Sequence, residues 1–313
     1  MTAPQADPAA TCPIPALKAR PALAVLWTPG RTLAPSNRAA MDQFLASARR
    51  LDLDVTIVGE ADLDRLAEFD GVFIRDHTRL DDYTHQFALR ATELGLASID
   101  DPLSMRICAD KVEQVRLFER HRVPTPKTLL LHRENIGQAI PLLGLPCVVK
   151  LPDSSFSRGV CKVECEAEFH ARCLQWFDRA PILVAQEYIR TRFDWRIGVL
   201  DRRPLFACRY HMVPGHWQVV QNAGSPDYRE GLTQAVALSD TPQTVLAAAL
   251  AAADTVGDGF YGVDVKECGD RPLVLEVNDN PNVDAGHEDA LVGSALYDAV
   301  MGSLARRIRA MCR

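Results

Sequence analysis

The stretch Phe260-Tyr261-Gly262-Val263-Asp264-Val265-Lys266-Glu267-Cys268-Gly269-Asp270-Arg271-Pro272-Leu273-Val274-Leu275-Glu276-Val277-Asn278-Asp279-Asn280-Pro281-Asn282 decides the reading of this chain. Two apolar, alternating runs flank Cys268-Gly269-Asp270, the pattern of a β-hairpin. Side chains alternate along a strand, so Leu273, Leu275 and Val277 share one face, and Val274, Glu276 and Asn278 the other. On the first run Asp264 lies opposite Val263 and Val265. A three-residue loop at Cys268-Gly269-Asp270 pairs Glu267 with Arg271, sets Asp264 opposite Val274 and leaves Asp264 diagonal to Glu276. A two-residue loop throws Asp264 to the wrong face, because a slip of one residue flips every side chain. Two carboxylates and an amide oxygen on one face suit a hard cation such as Mg2+. A half-exposed hairpin with an ordinary polar face fits the same residues, and the hairpin alone leaves both readings standing.

Outward from this stretch the composition narrows the options. The chain has 313 residues, 47% of them hydrophobic and 24% charged, which fits a globular protein with room for two or three compact units. Its net charge of −6 disfavours non-specific nucleic-acid binding. No run approaches the roughly 20 apolar residues of a membrane span, and the N-terminus lacks a basic region followed by an apolar core. The nine cysteines are scattered and form no CxxC pair, which points to reduced thiols in a cytoplasmic setting rather than a zinc site or disulfide framework. No P-loop, GxSxG or HExxH motif is present, and no GxGxxG follows the first strand, so the sheet there carries no dinucleotide fingerprint.

In order, residues 1–20 are Ala- and Pro-rich and are expected to be disordered. Strands at 22–27, 54–58, 71–75 and 96–99 alternate with helices at 36–51, capped by Ser36, 62–68 and 83–94, predicting a small parallel sheet with helices on both faces. Arg75, Asp76 and His77 follow a strand end, where such sheets bind ligands, although an ordinary polar loop has the same composition. Residues 105–122 read as one helix, stopped by Pro124 and Pro126. Lys150 ends the apolar strand Cys147–Lys150, from which it can snorkel to solvent or reach a phosphate. The Ser-rich turn 153–159 follows. Residues 194–200 and 204–211 form a hairpin, with Asp194, Arg196 and Gly198 on one face. On the return strand Cys208 and Tyr210 face away from Ala207 and Arg209. A helix at 290–311 closes the chain, its Arg306, Arg307 and Arg309 read as a solvated C-terminus complementing the helix dipole.

The ordered series Asp110-Lys111, Val148-Val149-Lys150, the Ser-rich loop with Gly159, Gln186-Glu187-Tyr188-Ile189, Asp194-Trp195-Arg196, Arg209, Asn222, Gly262-Val263-Asp264 and Glu276-Val277-Asn278 resembles the ATP-grasp superfamily and, within it, the RimK-like ligases. The likeness covers roughly residues 100–290. It implies an α/β fold: a small parallel-sheet domain (21–103), then an ATP-grasp module of two subdomains (104–189 and 190–313). It implies ATP and Mg2+, as two ions with Mn2+ as a substitute. Lys111, Lys150, Ser155 and Gly159 would meet the phosphates, and Glu187, Tyr188 and Ile189 the adenine. Asp194 would lie near the ribose or nucleotide edge, and Asn222 would complete the phosphate or metal shell. Asp264, Glu276 and Asn278 would hold the metal, while Arg209 and Arg196 would act at the reacting groups. The implied reaction is an ATP-dependent joining of a small acid or peptide carboxylate to an amine. The implied partners are these substrates, without nucleic acid or membrane; an oligomer is compatible with the sequence. A phosphotransferase without ligation, and a nucleotide-binding module without chemistry, are the alternatives. The chain departs from the usual pattern in having one Gly in the phosphate loop, Asn280-Pro281-Asn282 after the metal residues, and no Arg before Asn222. Its Asn278–Asn282 segment resembles that of longer relatives with an extra N-terminal domain, for which this chain is expected to be too short.

Overall fold

The computed structural model describes residues 20–30, 35–153, 159–221 and 225–311. The expectations for residues 1–19, Ser155 and Asn222 therefore lie outside the described residues.

The first unit is a parallel sheet. Strand β1 (Ala22–Leu26) is followed by helix α1 (Arg38–Arg50), β2 (Asp54–Val58), a 3-10 segment at Glu60–Glu68, β3 (Gly71–Ile74), α2 (Tyr83–Glu93) and β4 (Ala97–Ile99). The strand order is β2-β1-β3-β4, all parallel. Asn37, not Ser36, caps α1: its side chain accepts from the Ala40 amide. The Ser36 hydroxyl instead meets Arg75. The central strands β1 and β3 are apolar and almost wholly buried, as cover on both faces requires, whereas the edge strand β2 carries Asp54 and Thr56 and is only partly covered.

The expected helix over 105–122 is two helices, α3 (Pro102–Ala109) and α4 (Lys111–His121). Asp110 breaks the run with extended backbone, φ −117° and ψ 103°. Its carboxylate accepts from the Val112 and Glu113 amides, so one aspartate ends one helix and starts the next. Then come β5 (Thr128–Leu131), α5 (Ala139–Leu143), β6 (Cys147–Lys150), β7 (Val160–Val163), α6 (Glu166–Trp176) and β8 (Leu183–Glu187). These strands form an antiparallel sheet of order β5-β8-β6-β7. Its core unites Val149, Phe169, Cys173 and Leu183.

The last sheet has the order β13-β10-β9-β14-β15. It contains β9 (Phe193–Leu200) and β10 (Arg203–His211), then, beyond the short pair β11 (Val220–Gln221) and β12 (Arg229–Glu230), strand β13 (Thr233–Val236). The turn joining β9 to β10 holds only Asp201 and Arg202, with φ of 49° and 61°, as a two-residue turn with the twist of the strands demands. Helix α7 (Gln243–Asp254) covers one face of the sheet, packing Val245, Ala249 and Ala252 on Ile197, Val263 and Val277. Strands β14 (Phe260–Cys268) and β15 (Arg271–Asp279) form the organising hairpin.

The hairpin register corrects the expectation. Cys268 pairs with Arg271 across the two-residue turn Gly269-Asp270, and Glu267 pairs with Pro272. Val265 faces Val274 but Asp264 faces Glu276, so Leu275 is an extra residue on β15. This β-bulge resets the alternation. Val274 and Val277 both enter the core beneath α7, and Glu276 and Asn278 stay on the face of Asp264. Asp264 thus lies directly opposite Glu276 rather than diagonal to it.

Helix α8 (Ser294–Met311) returns to the first sheet, packing Leu296, Val300, Leu304 and Ile308 with α1 residues such as Phe44 and Leu45. Its arginines are not merely solvated: Arg306 and Arg307 pair with Asp201, and Arg309 donates to the Leu51 carbonyl. Among the described residues no helix is long and apolar enough to cross a membrane.

Candidate active site

Two sheets supply the walls of a narrow cleft. Lys150, at the end of β6, comes from one; Glu276, on β15, comes from the other; α4 brings Lys111 between them, alongside Gln114. The Lys111 ammonium lies 3.7 Å from the Glu276 carboxylate. The Lys111 amide donates to the Pro152 carbonyl at 3.0 Å, tying the helix start to the segment leaving β6.

Gln114 fixes this helix to the sheet edge. Its Oε1 accepts from the Val277 amide at 2.8 Å and its Nε2 donates to the Val277 carbonyl at 3.1 Å. One buried side-chain amide therefore does for β15 what a neighbouring strand would do, closing part of an open edge. Further along, the Val274 amide beside the bulge donates to the Pro124 carbonyl at 2.7 Å.

Burial sets the electrostatics of the cleft. It draws the Lys150 pKa down to about 8, against the pull of Glu276 and with the help of Lys111 and Lys266. Burial also opposes the charge of Glu276, but Lys111, Lys150 and Arg196 more than offset it and hold this carboxyl below its usual range. Asp264 is pushed upward by burial, against the stabilising Arg196. Arg196 grips it with both arms: Nε to Oδ1 at 2.7 Å and an Nη to Oδ2 at 3.0 Å. Asn278 donates to the same Oδ2 at 3.2 Å. The Tyr210 ring stacks on the Arg196 guanidinium at 4.8 Å, and its hydroxyl donates to Glu288 at 2.5 Å.

The structure therefore brings together Lys111, Lys150, Arg196, Asp264, Glu276 and Asn278. It places Asp194 on the same face, two residues before Arg196, bonded to Lys266. Glu187 ends β8, where its side chain accepts from the Lys127 amide. Tyr188 follows, between the Lys162 ammonium and the edge of Trp217, and Ile189 continues the connection to β9. Gly159 starts the return into β7 with φ +62°, its carbonyl accepting from the Leu151 amide.

Arg209 is not brought to this cluster. It pairs in register with Trp195, while Cys208 pairs with Arg196 and Tyr210 with Asp194. Its guanidinium lies 4.8 Å from the Trp195 ring and 4.9 Å from Phe193, on the α7 side of the sheet. Alternation along β10 forbids Arg209 and Tyr210 from sharing a face. The expected role of Arg209 at the reacting groups is thus corrected on geometry.

Arg75 and Asp76 serve the scaffold. Arg75 is fully buried and donates to the Asn280 side chain and to the Pro35 and Pro281 carbonyls. Asp76 accepts from the Thr28 amide and hydroxyl and from the Tyr83 hydroxyl. They anchor the segment after β15 to the carboxyl ends of β1 and β3. Lys266, Gln114, Tyr210 and Glu288 were not singled out in the sequence. Lys266 carried a usable signal, since it stands two residues from Asp264 and must share its face.

The side chains fit a hard divalent cation: two carboxylates and one amide, all oxygen donors, converge from adjacent strands, and Glu276 is held ionised. Comparison with known proteins bears on the family and the fold. The model of the RimK-like ATP-grasp domain matches residues 108–293, more than half of the chain. A protein of Shewanella denitrificans named "Probable alpha-L-glutamate ligase 2" is 24% identical over 249 residues, covering 78% of this chain and 79% of that protein. Among solved structures, the D-alanine–D-alanine ligase of Bacillus anthracis complexed with ATP superposes with a TM-score of 0.71 at 17% identity, covering 94% of this chain and 99% of that one. A RimK domain ATP-grasp protein of Sphaerobacter thermophilus gives 0.65 at 19% identity, covering 92% and 99%. These structural likenesses establish the fold.

Proposed function

Because this chain belongs to the family of RimK-like ATP-grasp domains, we propose that it couples ATP cleavage to formation of an amide bond between a carboxylic acid and an amine. The observation that carries the reading is the facing array of Lys111 and Lys150 against Asp264, Glu276 and Asn278, with Arg196 paired to Asp264.

Each group has a task set by its position. Lys111 and Lys150 bind the polyphosphate, and their low exposure makes their charge count for more than it would in water. Asp264, Glu276 and Asn278 would hold Mg2+, which when bound neutralises charge on the transferring phosphoryl group. The backbone from Glu187 to Ile189 meets the adenine, Asp194 the ribose, and Gly159 closes over the phosphates. In the reaction a carboxylate oxygen of the acid attacks the γ-phosphorus and ADP leaves. The amine then attacks the acyl carbon, the C–O bond to phosphate breaks, and the amine proton is lost. Arg196, fixed by Asp264 and Tyr210, faces the region where charge develops in both steps. The positioning of the reactants does the rest, and no protein nucleophile is needed. The same reading divides the chain at about residues 103 and 189.

The test is ADP release measured across a matrix of acids and amines, with α-amino acids such as glutamate among the amines because of the relative's name. Ligation requires that ADP and free phosphate accumulate only when both substrates are present. ADP formed together with a stable phosphorylated product, with no amine added, would make the protein a phosphotransferase instead.

A further inference from the structure

Lys266 and Asp194 form an ion pair on the cleft face of the sheet, at 2.6 Å, with side-chain exposures of only 12% and 14%. The Lys266 ammonium also donates to the Thr191 hydroxyl at 2.8 Å, and that hydroxyl donates to Asp194 at 3.0 Å. Both bonds to Asp194 fall on Oδ1, and Oδ2 receives neither. Two side chains thus fix one carboxylate in one orientation with its second oxygen left to accept.

The position of this triad along the sheet is informative. β9 starts at Phe193, directly after the connection that leaves β8. Asp194 is therefore the first residue of β9 on the cleft face, and Arg196, paired with Asp264, is the second. Two residues along a strand span about 6.6 Å. A nucleotide with its base at 187–189 and its phosphates at Lys111, Lys150 and Glu276 passes its sugar over Asp194. We propose that Lys266 is a positioning residue for nucleotide selection: it neutralises and orients Asp194 so that the free carboxylate oxygen accepts from the ribose hydroxyls, making the site select ribo- over deoxyribonucleotides. Without Lys266 the carboxylate would keep only its Thr191 bond and, with its charge uncompensated, would repel the phosphates that share the cleft. A site built to bond a hydroxyl rejects the analogue lacking it, because its own polar group is then left unpaired. This inference rests on the nucleotide reading above.

The experiment is titration calorimetry of the full chain with ATP, 2′-deoxy-ATP and 3′-deoxy-ATP in the presence of Mg2+. The unmodified protein should bind ATP at least ~10-fold more tightly than one or both deoxy analogues. Lys266→Met should reduce that ratio to below about 3-fold, as should Asp194→Asn, whereas Lys266→Arg should retain most of it. Thr191→Ala keeps the charge pair and removes one anchor. It should lower the ratio part of the way, and it supplies the measurement if Lys266→Met does not fold. A ratio near one in the unmodified protein, or an unchanged ratio in Lys266→Met or Thr191→Ala, overturns the inference while leaving ATP binding intact. No binding of ATP at all by the unmodified protein overturns the nucleotide reading itself.

Discussion

Lys150 should be a residue whose removal strengthens the empty protein and disables it. Its side chain is buried, and its pKa is drawn from 10.5 to about 8, chiefly by burial. A displacement of that size corresponds to roughly 3 kcal/mol of penalty against the charged form at neutral pH. Lys150→Met keeps the apolar stem and deletes the charge, so the apo protein at pH 7 should gain about 1–3 kcal/mol. The gain is less than the full penalty because Glu276 loses one cation and keeps Lys111 at 3.7 Å. The pH dependence has a definite sign. Between pH 8 and 10.5 the unfolded chain still holds the Lys150 proton and the folded chain does not, so stability from this group rises with pH across that window. Below pH 8 the penalty is fully present. Lys150→Met should abolish the rise. Nucleotide binding should move the opposite way: phosphates favour the ammonium, so ATP binding above pH 8 should take up a proton, and the variant should bind ATP at least ~100-fold more weakly. Urea unfolding of the apo forms at pH 7 and pH 9.5, with calorimetry in buffers of different ionisation enthalpy, reads all of these. A variant less stable than its parent at pH 7, or equal in ATP affinity, would refute the reasoning.

Glu276→Gln should keep the fold, at a loss of about 1–2 kcal/mol from two under-compensated lysines, and reduce Mg2+-dependent ADP release by at least ~100-fold; near-normal turnover by the folded variant would remove Glu276 from the metal set. Gln114→Leu leaves the Val277 amide and carbonyl without partners and should cost roughly 2–3 kcal/mol in urea unfolding; a change below about 0.5 kcal/mol would show that the edge clamp contributes nothing. Arg196→Lys loses the two-armed grip on Asp264 and should lower turnover by ~100-fold or more, whereas Arg209→Gln should leave it within about 3-fold. Equal losses in the two would return Arg209 to the reacting groups.

The sequence revealed most where one residue's chemistry is set by its own strand. Asp264, Glu276 and Asn278 were legible because alternation and residue type are local properties. Arg209 shows the limit of motif matching: its place in the ordered series suggested a catalytic role, yet its neighbour Tyr210 is the residue that reaches Arg196. Alternation along β10 already separated the two, and a motif carries no such geometry. Gln114 was hidden for another reason. A glutamine among Val112, Val115 and Phe118 looks like an ordinary interruption of an apolar stripe, and its partner, the Val277 backbone, lies 163 residues away.

The hairpin register makes the deeper point. The shared face of Asp264 and Glu276 was inferred from an odd loop, and the loop is even. An even loop with unbroken pairing would have separated the two carboxylates. The bulge at Leu275 reunites them, and it does so next to the site, where Val274 turns into the core and its amide bonds to Pro124. Neither Leu275 nor its neighbours announce a bulge, since the run Leu273-Val274-Leu275 is apolar whichever face each residue takes. Two errors in local geometry cancelled, and the proposed metal site places one requirement on both: two carboxylates that would hold the same cation must face the same way. A chain can meet that requirement through turn length or through an inserted residue. Deleting Leu275 would remove the extra residue and make the pairing continuous while leaving Glu276 opposite Asp264, so the two carboxylates should still share a face. Chemistry thus fixed which side chains share a face more firmly than local sequence fixed the backbone path that puts them there.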